Sequence, residues 1–314
     1  MKVYPIIIPT LCRYEKFKNA IESLKLCKLA DKTELVIGLD YPLKETQKEG
    51  WKLIKEYIPT IKGFKKVIVL EQNKNIGAAN NSLFLKQYVA KEYDAYIYSE
   101  DDNIFSPYFL QYMNNALKKY KNEKDIYFIC GYSYPITWKT NSECLIQNQY
   151  FSAWGYGTWF SKFNTLSLDL TSNHIKSKFN MIKLFKMCLK SPSNFINIIN
   201  MILQDEIKPH DVSFSFYLYM KNYYILMPKK TLVSNDGWDG TGEHCAEITH
   251  YDFRNFNRNE EFVPDVENVK KIYSKELEKI IYSMQPRFSY LKSFIKYVLI
   301  LIFGLSFTKK KLKK

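Results

Sequence analysis

Apolar positions in the first 130 residues switch repeatedly between two spacings. Lys2–Ile8 is a short apolar run with β-branched residues and predicts a strand, whereas Phe17, Ile21 and Leu24 recur at helical spacing within Arg13–Leu29. The same alternation continues with a strand at Thr33–Leu39 (TELVIGL) and a helix at Glu45–Ile58 with Trp51, Ile54 and Ile58 on one face. A strand at Lys66–Leu70 (KVIVL), a helix at Ala78–Tyr88 and a strand at Ala95–Ser99 (AYIYS) follow. Repeats of this kind predict an α/β fold, a mostly parallel sheet flanked by helices on both faces. Beyond the fourth strand, Ser106 is expected to cap a helix with Pro107 in its first turn and an apolar stripe of Phe109, Leu110, Met113, Leu117 and Tyr120. Ile126–Cys130 (IYFIC) reads as a fifth strand.

From about residue 132 the regularity fails. Aromatic-rich loops, a helical stretch around 175–203, a strand at Tyr223–Met227 and a loop rich in Gly, Asp and His are expected there. With no internal repeat and no Gly/Ser linker, the chain reads as one globular domain over residues 1–260 with a helical, basic C-terminal extension over 261–314.

Composition changes this picture in three ways. The chain has 314 residues, 46% of them hydrophobic, with 25 Tyr, 21 Phe and 5 Trp, which is enough for a large core and argues against disorder. Its formal charge of +14 (46 Lys and Arg against 32 Asp and Glu) suits an anionic partner, and equally a solvated lysine surface. The lysines are spread rather than striped, and no zinc-finger, RRM or helix-turn-helix signature is visible, so no nucleic-acid partner is expected. Six scattered cysteines without a CxxC pair fit neither a zinc site nor a small disulfide framework. The opening MKVYPIIIPTLCRYEK has no signal-peptide pattern, and a cytoplasmic protein is expected. Near the other end, FIKYVLILIFGLSF (294–307) is shorter than the ~20 residues a spanning helix needs and is followed by TKKKLKK. That pattern suits a segment lying on an anionic membrane surface, peripheral on the inner face of the cell membrane, with a packed helix and frayed tail as the alternative.

Candidate chemistry centres on residues 99–108, SEDDNIFSPY. In an open parallel sheet, ligands bind beyond the carboxyl ends of the strands, and Glu100, Asp101 and Asp102 follow the fourth strand. Adjacent carboxylates repel unless a cation or hydrogen-bond donors compensate them. Mg2+ or Mn2+, which take oxygen ligands and bridge to phosphates, are natural compensators. Solvated or helix-capping acids are the other reading.

Three segments, IIIPTLCRYEKFKNAIESL, KNIGAANNS (74–82) and SEDDNIFSPYFLQYM, together resemble the nucleotide-sugar-dependent glycosyltransferases of the GT-A fold (Rossmann-like). The acidic triplet resembles their DxD-type motif, in the EDD form also seen in the N-acetylglucosaminyltransferases that start complex N-glycans. LVSNDGWDGTGEHC (232–245) and FSAWGYGTWFSKF (151–163) resemble elements of bacterial enzymes grouped in glycosyltransferase family 2, which act in surface polysaccharide synthesis. The resemblance spans residues 3–131 and these later segments to about 245; 164–204 matches no pattern.

The resemblance implies a nucleotide-binding half (1–131) and an acceptor-binding half (132–260). It implies a metal-dependent, inverting transfer of sugar from a nucleotide-diphosphate donor to a glycan or lipid-linked acceptor (capsular, O-antigen or lipooligosaccharide). Asp102 would contact the metal, Mn2+ or Mg2+, and Glu100 and Asp101 the ribose, the sugar or the metal's waters. Pro9, Thr10 and Arg13 would lie under the nucleotide, Asp40 against the base, and Asn75, Gly77 and Asn80 in the donor pocket. GLDYPLKE replaces the family's usual DDGSxD run at Asp40. Trp154 and Gly155 belong to the sugar and acceptor segment; Trp154 and Trp159 either stack on sugar faces or fill the core. Asp211 would be the leading candidate for the general base, with Asp205 and Glu206 as competitors and a helix N-cap as the other role for Asp211. His244 is either a metal ligand or a hydrogen-bonding loop residue. A sugar-phosphate nucleotidyltransferase would carry a Gly-rich loop after the first strand, which IIIPTLCRYEK lacks. A non-enzymatic basic membrane- or nucleic-acid-binding protein is the remaining alternative.

Overall fold

The computed structural model describes residues 3–133, 138–148, 151–166, 210–237 and 262–272, with positions 295, 298, 299 and 302; for 210–212 it describes the backbone alone. The expected helix at 175–203, the competitors Asp205 and Glu206, His244 and most of the C-terminal extension lie outside these residues. The chain divides into two compact units. One comprises Met1–Leu145, Ser152–Phe163 and Leu226–Lys270; the other comprises Ile146–Phe151, Asn164–Ile225 and Lys271–Lys314.

The first unit is built on the expected α/β alternation. β1 (Ile6–Thr10), β2 (Glu34–Leu39), β3 (Lys66–Glu71) and β4 (Ala95–Tyr98) alternate with α1 (Tyr14–Lys25), α2 (Glu45–Tyr57) and α3 (Gly77–Val89). β5 (Asn103–Phe105), α4 (Phe109–Lys119), β6 (Ile126–Cys130), β7 (Cys144–Gln147), β8 (Tyr156–Trp159) and α5 (Phe160–Phe163) follow. After α6 (His210–Lys221) come β9 (Tyr224–Pro228), β10 (Val233–Asn235) and β11 (Val269–Lys271). The main sheet runs β3-β2-β1-β4-β8-β6 and continues through β9, β7 and β11. β3, β2, β1 and β4 are mutually parallel, whereas β8 is antiparallel to both β4 and β6.

Why the chain folds this way follows from its strand sequences. Ile6, Ile7, Ile8, Leu35, Val36 and Ile37 are all fully buried, as befits strands covered on both faces. From β1 the chain steps outward through β2 to β3, then returns over α3 to β4 on the other side of β1. Right-handed crossovers therefore put α1 and α2 on one face and α3 on the other. α3 packs on β1 and β2, and Asn81 from α3 donates to the Gly38 carbonyl at 2.8 Å. A Cβ on Gly38 would lie 3.0 Å from Leu85, so the close approach of helix to strand requires glycine there.

Three expectations shift. α1 ends at Lys25 rather than Leu29, because Leu26 and Cys27 bond back to Ser23 and Leu24 and Leu29 takes a φ of 75°. Ser106 caps a turn that precedes α4, accepting from the Tyr108 and Phe109 amides, rather than the helix itself. Residues 103–105, for which the sequence predicts no element, form β5 and pair antiparallel with β10, Asn103 opposite Asn235.

Within the second unit, the Phe151 amide donates to Ser215 Oγ at 2.9 Å and the Phe151 and Phe214 rings meet edge to face. Among the described residues, no helix is long and apolar enough to cross a membrane.

Candidate active site

The direction of chain winding reverses between β1 and β4, the switch point at which an open parallel sheet opens a crevice at its carboxyl edge. Register fixes what lies there. Ile7 pairs with Tyr98, so three residues further on each strand Thr10 comes level with Asp101. The Thr10 hydroxyl donates to Asp101 Oδ2 at 2.8 Å. Arg13, just before α1, reaches the same turn: its Nη1 donates to Asp102 Oδ2 at 2.7 Å and its Nη2 to Asp101 Oδ1.

A third segment closes the cluster. Asn235, at the end of β10, donates to Asp102 Oδ1 at 2.7 Å and to Asn103 Oδ1 at 3.2 Å, and the Asp236 amide donates to the Asp102 carbonyl. Gly237 lies so close that a Cβ on it would overlap the Asp102 carboxylate and come within 3.0 Å of Asn235 Oδ1. Lys16 of α1 pairs with Asp236 at 3.1 Å. The β5–β10 ribbon thus carries NDG of the segment 232–245 onto the acidic turn. This contact had no local signal in the sequence, because the partners are more than 130 residues apart.

Electrostatics are those of a buried, compensated triad. Asp101 and Asp102 are only 6% and 5% exposed. Burial pushes the Asp101 carboxyl above the usual carboxylate range; Arg13 and the Thr10 hydroxyl oppose this, while Asp102 adds to it. Burial alone would lower the Arg13 pKa, but Asp101 and Asp102 outweigh it and hold the guanidinium firmly charged.

The other sequence candidates fall into separate groups. Pro9 lies in β1 opposite Gly38, and Glu100, half-buried, immediately precedes Asp101. The Asp40 carboxylate accepts from the amides of Tyr41 (2.8 Å), Ile76 (3.0 Å) and Gly77 (2.9 Å). It therefore caps α3, whose Gly77 takes a φ of 79°. Asn75 and Asn80 donate to the carbonyls of Tyr41 and Ile76 beside that cap, Asn75 half-buried and Asn80 exposed. Trp154 stacks edge-on to Tyr132, and Gly155, with a φ of 66°, accepts from the Gly131 amide at 2.7 Å. Trp159 is core: it is buried, and its Nε1 donates to the Leu117 carbonyl of α4. Asp211 is the second residue of α6, in the second unit.

Whether the turn fits a divalent cation is decided by its donors. Each of the four oxygens of Asp101 and Asp102 already accepts a hydrogen bond from Thr10, Arg13 or Asn235. The Gly237 backbone crowds Asp102, and among the described residues no three His, Cys, Asp or Glu side chains converge to hold a metal. In this arrangement the acidic pair does not fit a metal centre, because Arg13 already supplies its counter-charge. Among the described residues, burial pushes the Cys27, Cys130 and Cys144 thiols up to about 12, which keeps them protonated. A separate cavity of about 710 Å3, lined by Asp94, Lys121, Trp159 and Phe160, lies at the amino end of β4, away from the acidic turn. Asp94 and Lys121 in its wall pair at 2.7 Å.

No family model matches the chain, and no curated protein matches it. Among solved structures it is similar to S. aureus TarS 1-349, at 11% identity and a TM-score of 0.43, over 74% of this chain and 59% of that one. It is also similar to the mannosyltransferase PcManGT from Pyrobaculum calidifontis in complex with GDP-Man and Mn2+, at 12% identity and a TM-score of 0.36, over 50% and 44%. TarS 1-349 in complex with UDP-GlcNAc matches at 14% identity and a TM-score of 0.31, over 43% and 37%. The matches span 59% or less of each of these solved chains. At such values the likeness bears on neither the site nor the activity.

Proposed function

We propose that the chain is a nucleotide-sugar-dependent glycosyltransferase whose donor site is the acidic turn after β4. One observation carries the reading: Thr10 and Arg13 from the β1–α1 junction converge with Asp101 and Asp102 at the carboxyl-edge switch point. The sequence resemblance of these same segments to GT-A enzymes supports it.

In this reading Arg13, which uses two of its five N–H groups on the carboxylates, keeps donors for the diphosphate. Glu100 and Asp101 address the ribose or sugar, and Trp154 and Gly155 line the acceptor side. Transfer is a single inverting displacement. The acceptor hydroxyl attacks the anomeric carbon from the face opposite the diphosphate, and the bond from that carbon to the phosphate oxygen breaks with its electron pair on the diphosphate. A carboxylate, Asp211 or one of Asp205 and Glu206, takes the hydroxyl proton. Mn2+ or Mg2+ enters this reading only by displacing Arg13 from Asp102. The acceptor is a glycan or lipid-linked precursor of a surface polysaccharide, met at the inner face of the membrane; the apolar run 294–307 and the lysines after it support that placement.

A thermal-shift panel of UDP-, GDP- and other nucleotide sugars, followed by assay of released nucleoside diphosphate, tests the reading. At least one donor should raise the melting temperature and be turned over. A panel in which no donor does either overturns it.

A further inference from the structure

We propose that Arg13 is the fixed cation of the acidic turn, a positioning residue that holds Asp101 and Asp102 in the role a divalent metal would otherwise take. Two adjacent, almost fully buried carboxylates cannot both stay ionised without positive charge beside them. The guanidinium supplies it with fork geometry, one amino group to each carboxylate. Thr10 and Asn235 donate to the other two oxygens, so each of the four carboxylate oxygens has a donor and one cation serves both groups. The Asn235–Gly237 segment, tied to the Asp102 carbonyl and packed against its carboxylate, helps hold Asp102 in this orientation. Arg13 is 25% exposed at its side chain whereas the carboxylates are 7–8% exposed, so a ligand from solvent meets the guanidinium first. Taken with the proposed function, on which only this last step rests, the donor diphosphate binds without a divalent metal.

The inference is tested by Mn2+ uptake, read as loss of the free-ion electron paramagnetic resonance signal, in the full-length wild type, Arg13→Ala, Arg13→Gln and the double variant Arg13→Ala/Asp102→Asn. The wild type should bind no Mn2+ at the acidic turn. Arg13→Ala and Arg13→Gln should take up one equivalent, and the double variant should lose it. Should Arg13→Ala be unfolded, Mn2+ is expected to restore its circular dichroism spectrum. A wild type that binds one Mn2+ and loses it with Asp102→Asn overturns the inference. So do Arg13 variants that gain no Mn2+, or an unfolded Arg13→Ala that Mn2+ does not restore. Donor titrations in EDTA form a separate arm: a donor bound by the wild type only with Mn2+ also overturns the inference. Absence of donor binding with and without Mn2+ counts instead against the proposed function, and the Mn2+ uptake then decides this inference alone.

Discussion

Arg13 and Asp102 are 89 residues apart in the chain, yet the guanidinium of one meets the carboxylate of the other at 2.7 Å, with Asp101 on the neighbouring nitrogen. This contact ties the β1–α1 junction to the turn after β4. Removing Arg13 would leave two buried carboxylates facing each other without a counter-charge. Arg13→Ala should therefore lose about 3–5 kcal/mol of stability in urea denaturation. Arg13→Lys should recover only part of it, because one ammonium cannot span both carboxylates. A loss under about 1 kcal/mol, the range of exposed pairs, would mean that the bridge does not persist in solution.

Asp40 offers a cleaner separation of structure from binding. Two of its three backbone donors, the amides of Ile76 and Gly77, make it the cap of α3. Asp40→Ala should destabilise the protein by about 1–2 kcal/mol and leave the ranking of nucleotides in the binding panel unchanged. A changed ranking with unchanged stability would instead assign Asp40 to the base.

Lys86 predicts a pH dependence of stability. It points from α3 into a cage of aromatic rings from Tyr96, Tyr98 and Phe163, with its ammonium 4.6–5.9 Å from their centroids, and is 5% exposed. Burial lowers its pKa from 10.5 to about 8. Between these values the unfolded chain binds more protons than the folded one, so this group makes stability rise with pH from about 8 to 10.5; below 8 its full penalty is present. Lys86→Met should remove that slope. It should also raise stability at pH 7 by on the order of 2 kcal/mol, after allowance for the lost cation–π contacts. Equal slopes in the two proteins between pH 8 and 10.5 would contradict the assignment.

What the sequence showed and what it hid divide along physical lines. β1 to β4 and the helices between them were legible because each buries a local pattern: three isoleucines in a row in β1, and Phe17, Ile21 and Leu24 at helical spacing in α1. β5 and β10 were not, since three residues carry no measurable period and exist as strands only by pairing with each other across the chain. That the acidic triplet follows a strand at the sheet's carboxyl edge was legible, but its counter-charge was not, because nothing local distinguishes Arg13 from a surface arginine opening a helix. Asp40 hid its partners for a related reason. The resemblance placed it against the base, while the amides its carboxylate accepts from were set by where α3 begins, at Ile76 and Gly77.

Calorimetric titration of the wild type and Asp102→Ala with UDP and GDP tests the central claim most directly. The account predicts that the wild type binds one equivalent of at least one of them, and that Asp102→Ala, retaining its fold by circular dichroism, binds it at least tenfold more weakly, about 1.4 kcal/mol. Equal affinity in the two proteins, or no binding of either nucleotide to the wild type, would contradict it.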